Sequence, residues 1–176
     1  MSETSIKHKT MAPSKVNVIV ITCSSSRYKI KKETGKLEDP SGDLIVNALS
    51  EEGHKIVDRK LISDNKLMIK NTLKKALKEK NLDAIIITGG TGISKKDLTI
   101  EVVKRIVEKD LPGFGELLRK ISYEKIGSAA MLTRAFAGIA KNKVIFCIPG
   151  SPNAVEIALK ELIVPEICHI VKHIRE

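Results

Sequence analysis

Two aspartates and three loops of small residues are the parts of this chain whose types and spacing could do chemistry. Thr88-Gly89-Gly90-Thr91-Gly92 closes the apolar run Ala84–Ile87, and Asp97 lies just beyond it in "SKKDLTIE". Glycines permit positive φ and carry no Cβ to hold an oxyanion away from backbone N–H groups. A following helix would add the positive end of its dipole. The stretch is not a P-loop, since no Gly-Lys-Ser/Thr follows, and it lacks the G-x-G-x-x-G spacing of a dinucleotide fingerprint. A tight strand-to-helix turn would need the same glycines, so the neighbours decide. Pro149-Gly150-Ser151-Pro152 repeats the arrangement after another apolar run, although Ser151 or Asn153 could equally cap a helix there. Cys23-Ser24-Ser25-Ser26-Arg27 offers three hydroxyls and a cation, and fits a solvated loop as well.

The carboxylates are the sharper signal. Asp64 stands in "LISDNK" and Asp97 beside the glycines, and either could be a simple helix N-cap. A carboxylate about 4 Å from one phosphate charge costs roughly 4 kcal/mol at an effective dielectric near 20. A phosphate pocket holding two of them needs compensation, and magnesium supplies it, because that ion takes carboxylate and phosphate oxygens together. Two aspartates facing a polyphosphate therefore point to metal-assisted phosphoryl or nucleotidyl chemistry. His169 and His173 share a helix face, but without a Glu or Cys in the pattern they are read as surface residues.

These residues must be positioned by elements, and the periodicity says which. "KVNVIVITC", "KIVDRKLIS", "DAIIITGG" and "KVIFCIPG" read as strands. Amphipathic helices are expected after the turn at "DPSG", over "DNKLMIKNTLKKALKEK", "TIEVVKRIVEKD" and "GELLRKISYEK", and from about residue 153 to 173 with a bend at Pro165. Strands apolar throughout and alternating with such helices predict an α/β fold, three-layered, with a mostly parallel sheet covered on both faces. Ligands of such folds bind outside the carboxyl ends of the strands. That rule gathers the serine loop, "SDN", "TGGTG" and "PGSP" on one edge, with Asp64 and Asp97 among them.

Composition narrows the function classes. The 176 residues suit one domain over 15–176 behind a flexible tail over 1–14, and no apolar run reaches the roughly 20 residues of a membrane span. A cytoplasmic protein is expected. The net charge of +10 raises nucleic acid as a partner, but the lysines are dispersed over helix faces and aromatics make up only 3% of the chain, too few for a base-stacking platform. An anionic small ligand explains the charge better. Three cysteines without a C-x-x-C pair indicate buried thiols, not a disulfide framework or zinc site.

The chain resembles the MogA/MoaB family of molybdenum cofactor biosynthesis proteins from about Val16 to Ile174. "TGGTGISKKDLT", "PGFGELLRKISYEKIGSAAMLTRAFAGI", "IPGSP" and "DPSGDLI" carry the likeness. A long basic loop, "SSSRYKIKKETGKLEDPSG", places it nearer the MoaB branch. The resemblance implies a molybdopterin-binding fold, a homotrimer or hexamer, and adenylylation of molybdopterin by ATP with Mg2+, giving molybdopterin-AMP and pyrophosphate. It implies catalytic and metal-binding roles for Asp64 and Asp97. It implies substrate or nucleotide contacts from Ser24, Ser25, Ser26, Arg27, Ser41, Gly42, Thr88, Gly89, Gly90, Thr91, Gly92, Thr99, Gly115, Thr133, Arg134, Pro149, Gly150 and Ser151. Some MoaB members lack the first aspartate and are inactive, whereas this chain retains Asp64. The alternative is a non-catalytic molybdopterin carrier of the same pathway, serving either a molybdenum or a tungsten cofactor.

Overall fold

The computed structural model describes residues 12–176, so the expected tail is outside the described residues up to position 11. Six strands form one sheet: β1 (Asn17–Cys23), β2 (Lys55–Ile62), β3 (Ala84–Thr88), β4 (Lys109–Asp110), β5 (Phe136–Ala140) and β6 (Lys143–Ile148), in the order β2-β1-β3-β6-β5-β4. The first four in that order are parallel, and β5 and β4 complete the sheet antiparallel.

Side chains alternate across a strand, and here both sets are apolar. Val18, Val20, Ile86, Val144 and Phe146 face one core layer. Its helices are α2 (Pro40–Glu51), α5 (Pro112–Ile126), α6 (Pro152–Ala158) and α7 (Val164–Arg175). Ile19, Ile21, Ile85, Ile87 and Ile145 face the other layer, under α3 (Lys66–Ala76) and α4 (Thr99–Val103). Burial on both faces is what makes these strands read as unbroken hydrophobic runs. No helix of the described residues is long and apolar enough to cross a membrane.

Four local differences from the sequence expectation have physical causes. The basic stretch after Cys23 is a helix, α1 (Ser25–Thr34), not a loop. Ser24 caps it by accepting from Arg27 N, and Gly35 ends it at φ +71°. None of its residues is buried, so it has no apolar stripe to reveal it. Strand β5 was not anticipated; it turns into β6 through Lys141 and Asn142, both at positive φ, a hairpin without the usual glycine. The helix expected from Thr99 stops at Val103, because the chain turns away to pair as β4. Finally, Pro165 has no N–H for the carbonyl of Glu161, and the turn just ahead of it, Leu159–Ile163, winds as π-helix between α6 and α7.

Parallel register places the carboxyl ends side by side. Thr22 lies opposite Thr88, Thr88 opposite Ile148, and Cys23 opposite Ile62. The chain reverses its direction of strand addition between β1 and β3, the switch point at which such sheets open a crevice.

Candidate active site

A cleft of about 850 Å³ opens at that crevice. Its walls include Asp64, Asp97, Ser24–Arg27, Thr88–Gly92, Thr133, Arg134 and Pro149–Ser151, so most of the residues expected from sequence come together. Ser41, Gly42, Thr99 and Gly115 are not among its lining residues; they stand behind it and hold its parts. Ser41 Oγ donates to Gly150 O at 2.8 Å, and Thr99 Oγ1 donates to Gly89 O at 2.9 Å. Gly42 gives its N–H to Asp39 Oδ1 at 3.0 Å. A Cβ on Gly115 would come within 2.8 Å of Ala135 O, so that glycine lets α5 pack against the chain entering β5.

The supporting bonds follow one rule: they take the carbonyls of the two glycine loops from behind. Besides Ser41 and Thr99, Thr88 Oγ1 donates to Pro149 O at 2.9 Å, Thr99 N to Gly90 O at 3.0 Å and Arg134 Nη1 to Gly92 O at 2.7 Å. Among the described residues, the N–H groups of Gly90, Thr91, Gly150 and Ser151 have no acceptor. Unpaired N–H groups beside residues of positive φ make an anion-binding concavity, and Gly89 and Gly90 have φ of +89° and +62°. A Cβ on Gly89 would lie 2.2 Å from Cys23 O, so the loop is also pressed against β1.

The two carboxylates flank this concavity. Asp64 Oδ1 lies 2.9 Å from where a Cβ of Gly90 would stand, and Asp97 Oδ2 lies 2.8 Å from that of Gly92. Neither aspartate is a helix N-cap: Asn65 caps α3, and α4 has no side-chain cap. Asp64 Oδ2 instead accepts from Ser25 N at 2.8 Å and Ser25 Oγ at 2.9 Å, which fixes the carboxylate at the start of α1. Asp97 Oδ2 accepts from Ser94 N at 2.8 Å. Hydrogen bonding from Ser94, aided by backbone N–H groups and the charge of Arg134, holds the Asp97 carboxyl below its ordinary value despite some opposing burial.

The pattern described as "Probable molybdopterin binding domain" matches residues 19–169. The chain belongs to this molybdopterin-binding family. It is 42% identical over 174 residues to the molybdopterin adenylyltransferase of Pyrococcus furiosus, covering 97% of this chain and 98% of that one. It is 40% identical over 171 residues to molybdenum cofactor biosynthesis protein B of Bacillus subtilis, with 97% and 96% covered. The crystal structure of the tungsten cofactor synthesizing protein MoaB from Pyrococcus furiosus superimposes with a TM-score of 0.82 at 42% identity, over 94% of this chain and all of that one. These relatives are in line with the expected MoaB branch.

Three features of this molybdopterin-binding domain were missed from sequence. Arg134 stands in the cleft wall and also clamps the glycine loop: its guanidinium bonds Gly92 O and pairs with Glu101. Beneath the cleft, buried Asp39 accepts from cleft-lining Thr22 Oγ1 at 2.7 Å and from Arg59 Nη2 at 3.0 Å. Burial works against the Arg59 charge, but Asp39 and Asp43 outweigh it and raise its pKa. Lys125, Ile126, Leu132 and Ile157 also line the cleft. The three aliphatic side chains among them offer an apolar contact suited to a planar ring, and nothing in their local sequence marks them as ligand-facing. Cys23 lies in the wall too, its thiol pushed up to about 12 by burial and so inert as a nucleophile.

No group of three or more metal-ligating side chains occurs among the described residues. That is compatible with magnesium, which is bound by one or two carboxylates and completes its shell with water and substrate phosphates. Asp64 Oδ1 accepts nothing among the described residues, leaving an oxygen for such a role.

Proposed function

We propose that the protein is a molybdopterin adenylyltransferase of molybdenum or tungsten cofactor biosynthesis, acting in the cytoplasm on molybdopterin and ATP. The observation that carries the reading is a concavity of acceptorless N–H groups with one carboxylate on each side. The first part suits phosphates and the second suits the cation that accompanies a triphosphate. In the reaction, an oxygen of the molybdopterin phosphate attacks the α-phosphorus of ATP. The bond from that phosphorus to the bridging oxygen breaks, and pyrophosphate leaves with the electron pair. A phosphate monoester is mostly ionised at pH 7, its second pKa being near 6, so the attacking group needs no general base. This agrees with a cleft lined by hydroxyls, amides and carboxylates.

The chain's own residues would align and neutralise. Gly90, Thr91, Gly150 and Ser151 present N–H groups to phosphate oxygens, and Arg27 and Lys125 add positive charge at the walls. Asp97 and Asp64 would hold Mg2+, whose contribution when bound is to neutralise the triphosphate. Ser25 keeps Asp64 in one orientation for that role. A homo-oligomer, trimer or hexamer, forms part of the proposal. It is supported by exposed apolar side chains on α5 and the following 3-10 turn outside the cleft, Leu117, Tyr123 and Met131, with Met131 81% exposed.

The experiment is incubation of the protein with ATP, Mg2+ and molybdopterin, read by pyrophosphate. Release that requires all three components supports the enzyme. Tight molybdopterin binding without release would favour a carrier.

A further inference from the structure

A buried carboxylate beneath the cleft has no part in the reaction described above. The side chain of Asp39 is fully buried, and it joins three elements. Its Oδ1 accepts from Gly42 N in the first turn of α2 at 3.0 Å. Its Oδ2 accepts from Thr22 Oγ1 of β1 at 2.7 Å and from Arg59 Nη2 of β2 at 3.0 Å. Arg59 Nη1 also reaches Asp43, further along α2, at 2.6 Å. A Cβ on Gly42 would lie 2.1 Å from Asp39 Oδ2, so the helix backbone leaves room for the carboxylate.

Capping alone does not require this arrangement. Ser or Asn caps a helix about as well as Asp, without the cost of taking a charge out of water. What the charged pair adds is a fixed placement of α2 against β1 and β2, and from there bonds lead to the cleft. Ser41, in the same first turn, donates to Gly150 O at 2.8 Å. Thr22 lies opposite Thr88 in the sheet, and Thr88 donates to Pro149 O at 2.9 Å. The second glycine loop is thus held by two hydroxyls whose elements meet at Asp39. That loop abuts the first: a Cβ on Gly150 would come within 3.1 Å of Gly89 Cα.

We infer that Asp39, paired with Arg59, is a positioning residue that sets the spacing between the two glycine loops. The inference rests on the adenylyltransferase reading, in which two separate phosphates must be brought into line. Each loop has its own N–H groups, so a change of spacing spares binding and disturbs alignment. A misplacement of about 1 Å in such a site costs about 100-fold in rate.

The test compares the full-length wild type with Asp39→Asn in ATP, Mg2+ and molybdopterin. Asparagine keeps the cap on α2 but removes the charge that holds Arg59. The kcat should fall about 10–100-fold, with both KM values near wild type and circular dichroism unchanged. Ser41→Ala should lower kcat in the same way, and the double variant should be no slower than the slower single one, since both act through Gly150. Arg59→Lys, outside the cleft lining, should give the same split if Asp39→Asn fails to fold. Wild-type kcat in Asp39→Asn, or losses that multiply in the double variant, would reduce Asp39 to a helix cap and overturn the inference. The backbone amide signals of Gly150 and Ser151 give a readout without turnover. They should move in Asp39→Asn and in Ser41→Ala alike, before any ligand is added, and unmoved signals would overturn the inference too. Moved signals in a protein whose wild type releases no pyrophosphate would support the spacing role and refute the adenylyltransferase reading instead.

Discussion

Replacing Asp97 with asparagine keeps an oxygen for the Ser94 N–H but removes the charge, so it separates holding the loop from holding a cation. Asp97→Asn should abolish molybdopterin-AMP formation and leave pterin binding largely intact, measured by pyrophosphate release and by calorimetry. Equal loss of both would reduce Asp97 to a loop clasp. The folded carboxyl lies below its ordinary value. Its stabilising effect on the loop is therefore complete above the unfolded pKa and disappears only as pH falls through the lower, folded one. A carbon-13 titration of the side chain should show a midpoint below the usual carboxylate range. Asp64→Ala should lower turnover without unfolding the chain, because the Ser25 groups it frees are exposed and water replaces the lost acceptor. Wild-type turnover in that variant would remove Asp64 from the mechanism.

The glycine loop works as an element because its backing bonds turn its N–H groups outward. Gly90→Ala would force a side chain into φ +62° with its Cβ 2.5 Å from Thr99 Oγ1, and should cost about 1–3 kcal/mol in urea unfolding. Thr99→Val keeps the shape but strips the buried Gly89 carbonyl of its donor, at about 1–3 kcal/mol. Both should also raise the KM for ATP, and an unchanged KM in Thr99→Val would show that the loop keeps its form unaided. Sequence gathered Thr99, Ser41 and Arg134 into this neighbourhood but did not show their bonds to the loop carbonyls. Residue type tells that a hydroxyl or guanidinium can donate, not whether it faces the ligand or the loop. Ser41 meets Gly150 across 109 residues of chain, a contact no local pattern encodes. Helix α1 escaped notice for a related reason: with no buried residue, its only marks are Ser24 and Gly35 at its ends.

At the scale of the whole molecule, β1, β3 and β6 were legible because each is buried on both faces and so reads as an apolar run, whereas the partly exposed β2 showed itself only by its Ile, Val and Leu at either end. Strands β5 and β4 were not, since one holds the small residues Ala137, Gly138 and Ala140, and the other is two residues long. Met131→Glu places a charge in the exposed apolar patch and should lower the assembly state seen by light scattering, with the monomer remaining folded. An unchanged mass would move the interface elsewhere. The outer strands restrict how copies can meet. On one side the boundary is the two-residue Lys109–Asp110 segment; on the other, β2 presents Asp58, Arg59 and Lys60 in succession. Neither offers a long, uncharged row of amides to a newcomer. In the proposed oligomer, contact would therefore run through helix and turn side chains, with the hydrogen-bonded ladder ending within each chain instead of continuing into a neighbour.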